Sequence, residues 1–416
     1  LGATVFDGTL VPANVSAESF AFDGSSGQGG LSGNLNANGV LIEDYRSDPI
    51  YQPLISDMTA TLANGQLVMT GPLRLKADGT TVADTTINLD VVKLNGTAAI
   101  RSRPLTFRPG GLQPVMLSEK LRGVFTLADG DASAKADVDI VSGKLSGTGD
   151  VTIEKFGFQT TRLGRIEDVN GKVRFSDLLG LTTDRGQVVT VGSLSIGVPL
   201  TDGRIQFHLD KGKVLGVEKA GFPFAGGRIA ISPLQWTLGG KDQRVEVTAD
   251  AIELSQLVAV LKLPDVQATG TVSGTFPVDF VGSEVQVRDA LLAADAKGGR
   301  IAYTGDAVNS AADNDPNAKL AFDALKDLQF SVLEIGLSGD LMNRTVASVH
   351  LIGRNTQPLA FGKKLTMPKG QAFEFNLSLD SDLTELFKSG SYAAQQDKFV
   401  KMVVDMANDK DNRTDE

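Results

Sequence analysis

Apolar and polar residues alternate along most of this chain. Phe373, Phe375, Leu377 and Leu379 fall on one side and Glu374, Asn376, Ser378 and Asp380 on the other, the period of a strand wet on one face only. Ala132, Ala134, Ala136, Val138 and Ile140 alternate with Ser133, Lys135, Asp137 and Asp139, and Gly143 then turns the chain into 145–153, which predicts a hairpin. Ile87, Leu89 and Val91 repeat the pattern. So do Ile205, Phe207 and Leu209 after the turn-forming run Thr201-Asp202-Gly203. Val245, Val247, Ala249 and Ala251 face away from Glu246, Thr248 and Asp250. With strand and turn together taking about 12–20 residues, the chain holds on the order of 20 to 25 strands. One continuous sheet of that size runs roughly 100 Å, well beyond an ordinary open twisted sheet.

Helical periodicity is scarce and late. Leu254, Leu257, Val258 and Leu261 share a face and Pro264 stops the run. A second helix is predicted over 317–328, led by Pro316, with Ala318, Ala321, Phe322 and Leu325 on one side. Asp382 and Glu385 have the spacing of a capping box, Gly390 follows as a stop, and 392–407 reads as an amphipathic helix with the stripe Phe399, Val400, Val403 and Met406. The acidic tail 408–416 is predicted to be disordered. Four short helices cannot roof so many strands. The dry face must meet another sheet, curl on itself, or hold an apolar ligand.

Composition narrows the classes. The 416 residues include 46 glycines and only 6% aromatics, which suits many short strands and tight turns. No linker-like run divides them, so one elongated body is expected. A net charge of -10 argues against a nucleic-acid partner. The absence of cysteine removes disulfides and thiolate chemistry and fits the periplasm. No apolar run approaches the roughly 20 residues that span a bilayer, and Leu1 begins in mid-pattern, so a membrane anchor or signal is expected upstream of this chain.

Candidate chemistry is thin. His208 and His350 lie in strand patterns far apart in sequence, without metal spacing, and read as strand residues rather than bases. Asp313-Asn314-Asp315 lacks the glycine and distal glutamate of a calcium loop and reads as a helix cap. The glycine-rich run from Gly24 to Gly30 has no following Gly-Lys-Ser/Thr and reads as a hairpin loop. Trp236 reads as a core residue. No catalytic residue, metal site or cofactor is expected.

From about Ile166 onward the order of features resembles the YdbH branch of the bacterial AsmA-like proteins, which also include AsmA and TamB. The resemblance rests on Phe175-Ser176-Asp177-Leu178-Leu179-Gly180-Leu181-Thr182-Thr183 with Gly186-Gln187, and on Ile196-Gly197-Val198-Pro199-Leu200-Thr201-Asp202-Gly203-Arg204. It continues through Ala225-Gly226-Gly227-Arg228, Ile252-Glu253-Leu254-Ser255-Gln256-Leu257, Gly270-Thr271-Val272-Ser273-Gly274-Thr275-Phe276-Pro277-Val278, Gly298-Gly299-Arg300-Ile301-Ala302-Tyr303, Leu351-Ile352-Gly353-Arg354-Asn355 and 373–386. It covers a little over half of the chain, and 1–165 matches in style only. The resemblance implies a mainly β protein: a long curved antiparallel sheet forming an elongated apolar groove, similar to the bridge-like lipid-transfer proteins, with a few short helices near the C-terminus. It divides the chain into continuing groove repeats over 1–165, a YdbH-like groove domain over 166–390, and a helix with an acidic tail over 391–416.

It further implies a non-enzymatic role in intermembrane lipid transport, with phospholipid acyl chains in the groove. The residues expected to face the lipid are Val138, Ile140, Ile205, Phe207, Leu209, Val245, Val247, Ala249, Phe373, Phe375, Leu377 and Leu379. The implied setting is the periplasm of a Gram-negative bacterium, with an inner-membrane anchor outside this chain and an outer-membrane or periplasmic protein partner. A dry-cored structural solenoid aiding outer-membrane biogenesis is the alternative.

Overall fold

The computed structural model describes residues 4–5, 13–27, 30–44, 46–47, 49–160, 163–196, 198–240, 242–263, 265–282, 284–295, 298–305, 316–341, 343–361 and 365–381. Among these residues 28 strands form, of which 26 join one antiparallel sheet that does not close into a barrel. Helix is confined to Pro114–Leu117, Leu254–Val260 and Pro316–Leu325, with one 3-10 turn at Glu119–Leu121. The mainly-β reading of the alternation therefore holds. The helices expected at 382–389 and 392–407, and the loop at Asp313-Asn314-Asp315, lie outside the described residues.

Most strands pair with the next in sequence. Thr126–Val141 and Lys144–Thr160 form the predicted hairpin, and the two turn residues, Ser142 and Gly143, both take the left-handed backbone (φ 52° and 75°) that matches the twist of the flanking strands. Several expected turns and faces differ. Thr201-Asp202-Gly203 is not a turn, because Val198–Asp210 runs through it as one strand with Asp202 at φ 55°. An Asp-Gly pair serves a bulge as readily as a turn, and here Phe222 covers Gly203, where no side chain would fit. Ala251 (φ 50°) is likewise a bulge residue, pushed out to solvent, and Ile252 takes its place inside. Val91 lies in an exposed turn beyond Thr81–Asp90. Gly24 to Gly27 belong to the strand Ser19–Gly27, paired with Gly30–Asp44, rather than to a loop. The helix expected to reach 328 ends at Leu325, since Leu328 opens the strand Leu328–Asp340.

The chain divides into two compact units, Leu1–Leu194 with Arg204–Glu218 and Gln235–Leu238, and Ser195–Gly203 with Lys219–Leu234 and Gly239–Glu416. In the first, one end of the strands carries tight turns and the other carries a cover. The connection between Leu105–Phe107 and Thr126–Val141 returns to the start of a distant strand: Gln52 donates its backbone N–H to the Leu117 carbonyl (3.0 Å) and its side chain to the Val115 carbonyl (3.3 Å). Gln113 holds Ala128 from both sides, accepting its N–H and donating to its carbonyl at 2.8 Å each. Phe125 closes edge-on against Phe156 and Phe158 (5.9 and 4.7 Å between centroids). At this end Leu73, Leu75, Val82, Leu105, Phe107 and Ala128 are buried.

In the second unit the cover is helical. Leu254–Val260 and Pro316–Leu325 supply Leu254, Phe322, Ala324 and Leu325 to a core shared with Ile252, Val272, Leu328, Leu333, Leu351 and Phe375. Pro316 sits at the first helical position, where its missing N–H costs nothing.

Candidate functional site

Residues directly opposite one another in an antiparallel pair share a face, so the register defines which side chains lie in rows across the strands. In the first unit one row runs Leu35, Ala60, Met69, Ile87, Ala98, Val138, Gly147. A second, closer to the tight turns, runs Leu62, Leu67, Leu89, Gly96, Ile140, Leu145. No polar side chain interrupts either row. Burial falls along the strands from cover to turns: Leu73 and Leu75 are buried whereas Met69 and Leu67 on the same strand are half-buried, and Phe156 is buried whereas Leu145 is not. The apolar face is thus roofed at one end and accessible at the other. Glycine and alanine at Gly96, Ala98, Ala136, Gly147 and Gly149 keep its floor low.

The opposite face is wet and held by polar pairs across strands. Thr59 and Thr70 join through their hydroxyls (3.3 Å), Arg101 pairs with Asp137, and Lys135 and Lys172 clasp Asp150 at 3.1 and 3.2 Å. Burial raises Asp150, but the two lysines outweigh it and hold the carboxyl below the ordinary range.

The second unit repeats the arrangement. Phe222, Ile229, Ala249, Gly274, Leu292, Ile335, Val349 and Leu377 form one row, and Leu333, Leu351 and Phe375 form a neighbouring row closer to the helices. The second of these rows is buried, while Leu292, Ile335, Val349 and Leu377 are half-buried.

Val138 and Ile140 therefore belong to the rows of the first unit, and Ala249 and Leu377 share one row of the second. Ile205, Phe207 and Leu209 are half-buried along one side of their strand. Val245 and Phe375 are fully packed, and Val247 is half-buried opposite Ile231 and Phe276. Phe373 is half-buried beside Phe375, and Leu379 pairs with Ala347 through a position whose side chain is outside the described set. The sequence reading passed over Leu67, Met69, Leu145, Leu292, Ile335 and Val349, which the same period-2 alternation marks.

The two histidines do have carboxylate partners. Nδ1 of the buried His208 lies 2.9 Å from Oε1 of Glu218, which also accepts the Gly186 N–H (3.2 Å) while its Oε2 accepts Gln206 (2.9 Å). Burial raises the Glu218 carboxyl, and these bonds more than offset it. His350 bridges Glu334 (3.3 Å) and Glu374 (3.1 Å) across three strands on the wet face. The hydrogen bond to Glu334 raises its imidazole, burial opposes this, and Glu374 adds to the rise. Both arrangements tie strands together. Among the described residues no group of three or more His, Asp or Glu is placed to hold a metal ion.

An apolar face that each unit covers only in part, with polar chemistry spent on binding strands to one another, is the context for a family match. Its profile, described as YdbH-like, intermembrane phospholipid transport protein YdbH, aligns with residues 8–396. The chain belongs to the YdbH-like family. The match takes in residues 8–165 as well, where the sequence motifs resembled that family only in style. No curated protein and no solved structure matches the chain. No helix among the described residues of this YdbH-like chain is long and apolar enough to cross a membrane.

Proposed function

We propose that this protein carries phospholipid between membranes, with the acyl chains lying on the half-exposed part of the apolar face and the headgroup in water. The observation that supports this most is the gradient of burial: a dry-cored structural solenoid would close over Leu67, Met69, Val138 and Ile140, yet these stay accessible at the turn end. Each CH₂ that moves from water onto such a face contributes ~0.8 kcal/mol, so acyl chains stabilise what the protein leaves uncovered. The family match supports phospholipid as the cargo. Transport between membranes fits the periplasm of a Gram-negative bacterium as the place of action, and in this reading an inner-membrane anchor outside this chain and a protein partner at the far membrane complete the route. In this reading no residue acts as a catalyst and no cofactor is required.

The test is site-specific photo-crosslinking in cells. Benzophenone side chains at Val138 and Leu377 are expected to capture phospholipid, and the same groups at Asp137 and Asn376, one residue away on the wet face, are not. Equal capture at both sets would show that the apolar face is not the carrier.

A further inference from the structure

The tight turns of the first unit form a continuous rim. Val91 donates to the Gly65 carbonyl (2.9 Å), Gly143 to Leu94 (2.9 Å), Gly212 to Leu181 (3.0 Å) and Leu238 to Lys213 (2.8 Å), each from one turn to its neighbour, while Leu178 donates to Gly147 (2.9 Å) near the start of the strand Lys144–Thr160. Lys93, Lys144, Arg185, Lys211 and Lys213 stand exposed along this rim. Lys93 is 3.9 Å from Asp90, and the side chains of the other four have no carboxylate partner among the described residues. At the covered end Arg46, Arg103, Arg122 and Arg165 are each paired, with Asp44, Asp84, Glu119 and Asp129, although Arg108 and Lys155 are not. The unpaired cations thus concentrate where the apolar face opens. Asp90, Asp184 and Asp210 lie among them.

We propose that this rim is a headgroup track: phospholipid phosphates ride on Lys93, Lys144, Arg185, Lys211 and Lys213 while the acyl chains reach inward along the apolar rows towards the cover. The proposal rests on the reading that the face holds acyl chains, and adds which way the lipid points. The carboxylates between the cations suit a headgroup that carries an ammonium beside its phosphate, as in phosphatidylethanolamine, better than one with net negative charge. The exposed Val92 and Leu94 flank Lys93 in sequence and the exposed Val141 lies opposite Lys144 in the hairpin, giving these turns apolar residues among charged tips.

Two photoreactive phosphatidylethanolamines test the direction, one with a diazirine beside the headgroup and one with it at the acyl end, each loaded onto the purified chain and mapped by mass spectrometry. The headgroup probe is expected on 91–94, 142–144, 184–186 and 211–213, and the acyl-end probe near Leu73, Leu105 and Phe156. The triple variant Lys144→Glu, Lys211→Glu, Lys213→Glu, whose sites are all exposed, is expected to melt like the parent but load about tenfold more slowly from phosphatidylethanolamine vesicles. Lys155→Glu at the covered end should load normally. Headgroup labelling on 108–125, or parental loading by the triple variant, overturns the track while acyl-end labelling keeps the carrier reading intact. If the acyl-end probe misses the apolar face altogether, the carrier reading falls and takes the track with it.

Discussion

His350 makes the wet face sensitive to pH in a direction that its neighbours fix. Glu334, opposed by burial and aided by Glu374, raises the imidazole above its ordinary 6.5, so the folded chain binds the proton more tightly than the unfolded one. The stabilisation is fully present below that ordinary value and is lost as pH rises through the raised one. The melting temperature is therefore expected to fall modestly between about pH 6 and pH 8, and His350→Gln to flatten that slope. The effect is small because a third of the side chain (33%) is exposed to water. A second residue-scale test is Gly203→Ala. Phe222, 2% exposed, lies where the new methyl would go, and a packed ring cannot retreat. The loss should be about 1–3 kcal/mol in urea melts, whereas Ala at Gly27, with nothing within 4 Å, should lie near the parent.

At the scale of elements, the covers decide how much of each face stays open. Phe322 is fully buried in the helical cover, and Phe322→Ala should cost about 3–5 kcal/mol and raise binding of a hydrophobic dye. Gln113→Ala removes both partners of a wholly buried Ala128 backbone and should cost about 2 kcal/mol, read from denaturant midpoints; no change would mean water replaces the amide. Strands and the two described longer helices were legible in the sequence because their apolar residues keep a period of 2 or 3.6. The cover at 108–125 was not, since Leu112, Pro114, Val115 and Leu121 follow neither period, and its bonds reach back some 65 residues, as from Gln52 to Leu117. The bulges at Asp202 and Ala251 were misread for a related reason, as nothing local distinguishes a positive φ in a turn from one inside a strand. The apolar rows were half visible: the alternation names the face, but only the register shows that Val138 meets Ala98 and Gly147. The rim cations were readable one by one and not as a line.

For the whole molecule, the net charge of -10 sets the terms of approach to a bilayer. Uptake from vesicles containing anionic lipid should be slower than from purely zwitterionic ones at low salt, and the gap should close as ionic strength passes about 0.15 M, where screening shortens to about 8 Å. A salt-independent gap would assign the preference to the headgroup contacts instead. The order of strands carries a different consequence, for how the chain acquires its structure. Within each unit nearly every strand pairs with a neighbour in sequence, so hairpins can zip onto a growing edge without waiting for distant segments. The bond from Gln52 to Leu117 cannot form that way, because the strands between them must first be in place. The roof of the first unit is thus among its last parts to close, and a lipid present while the chain folds meets the bare apolar face before its cover arrives.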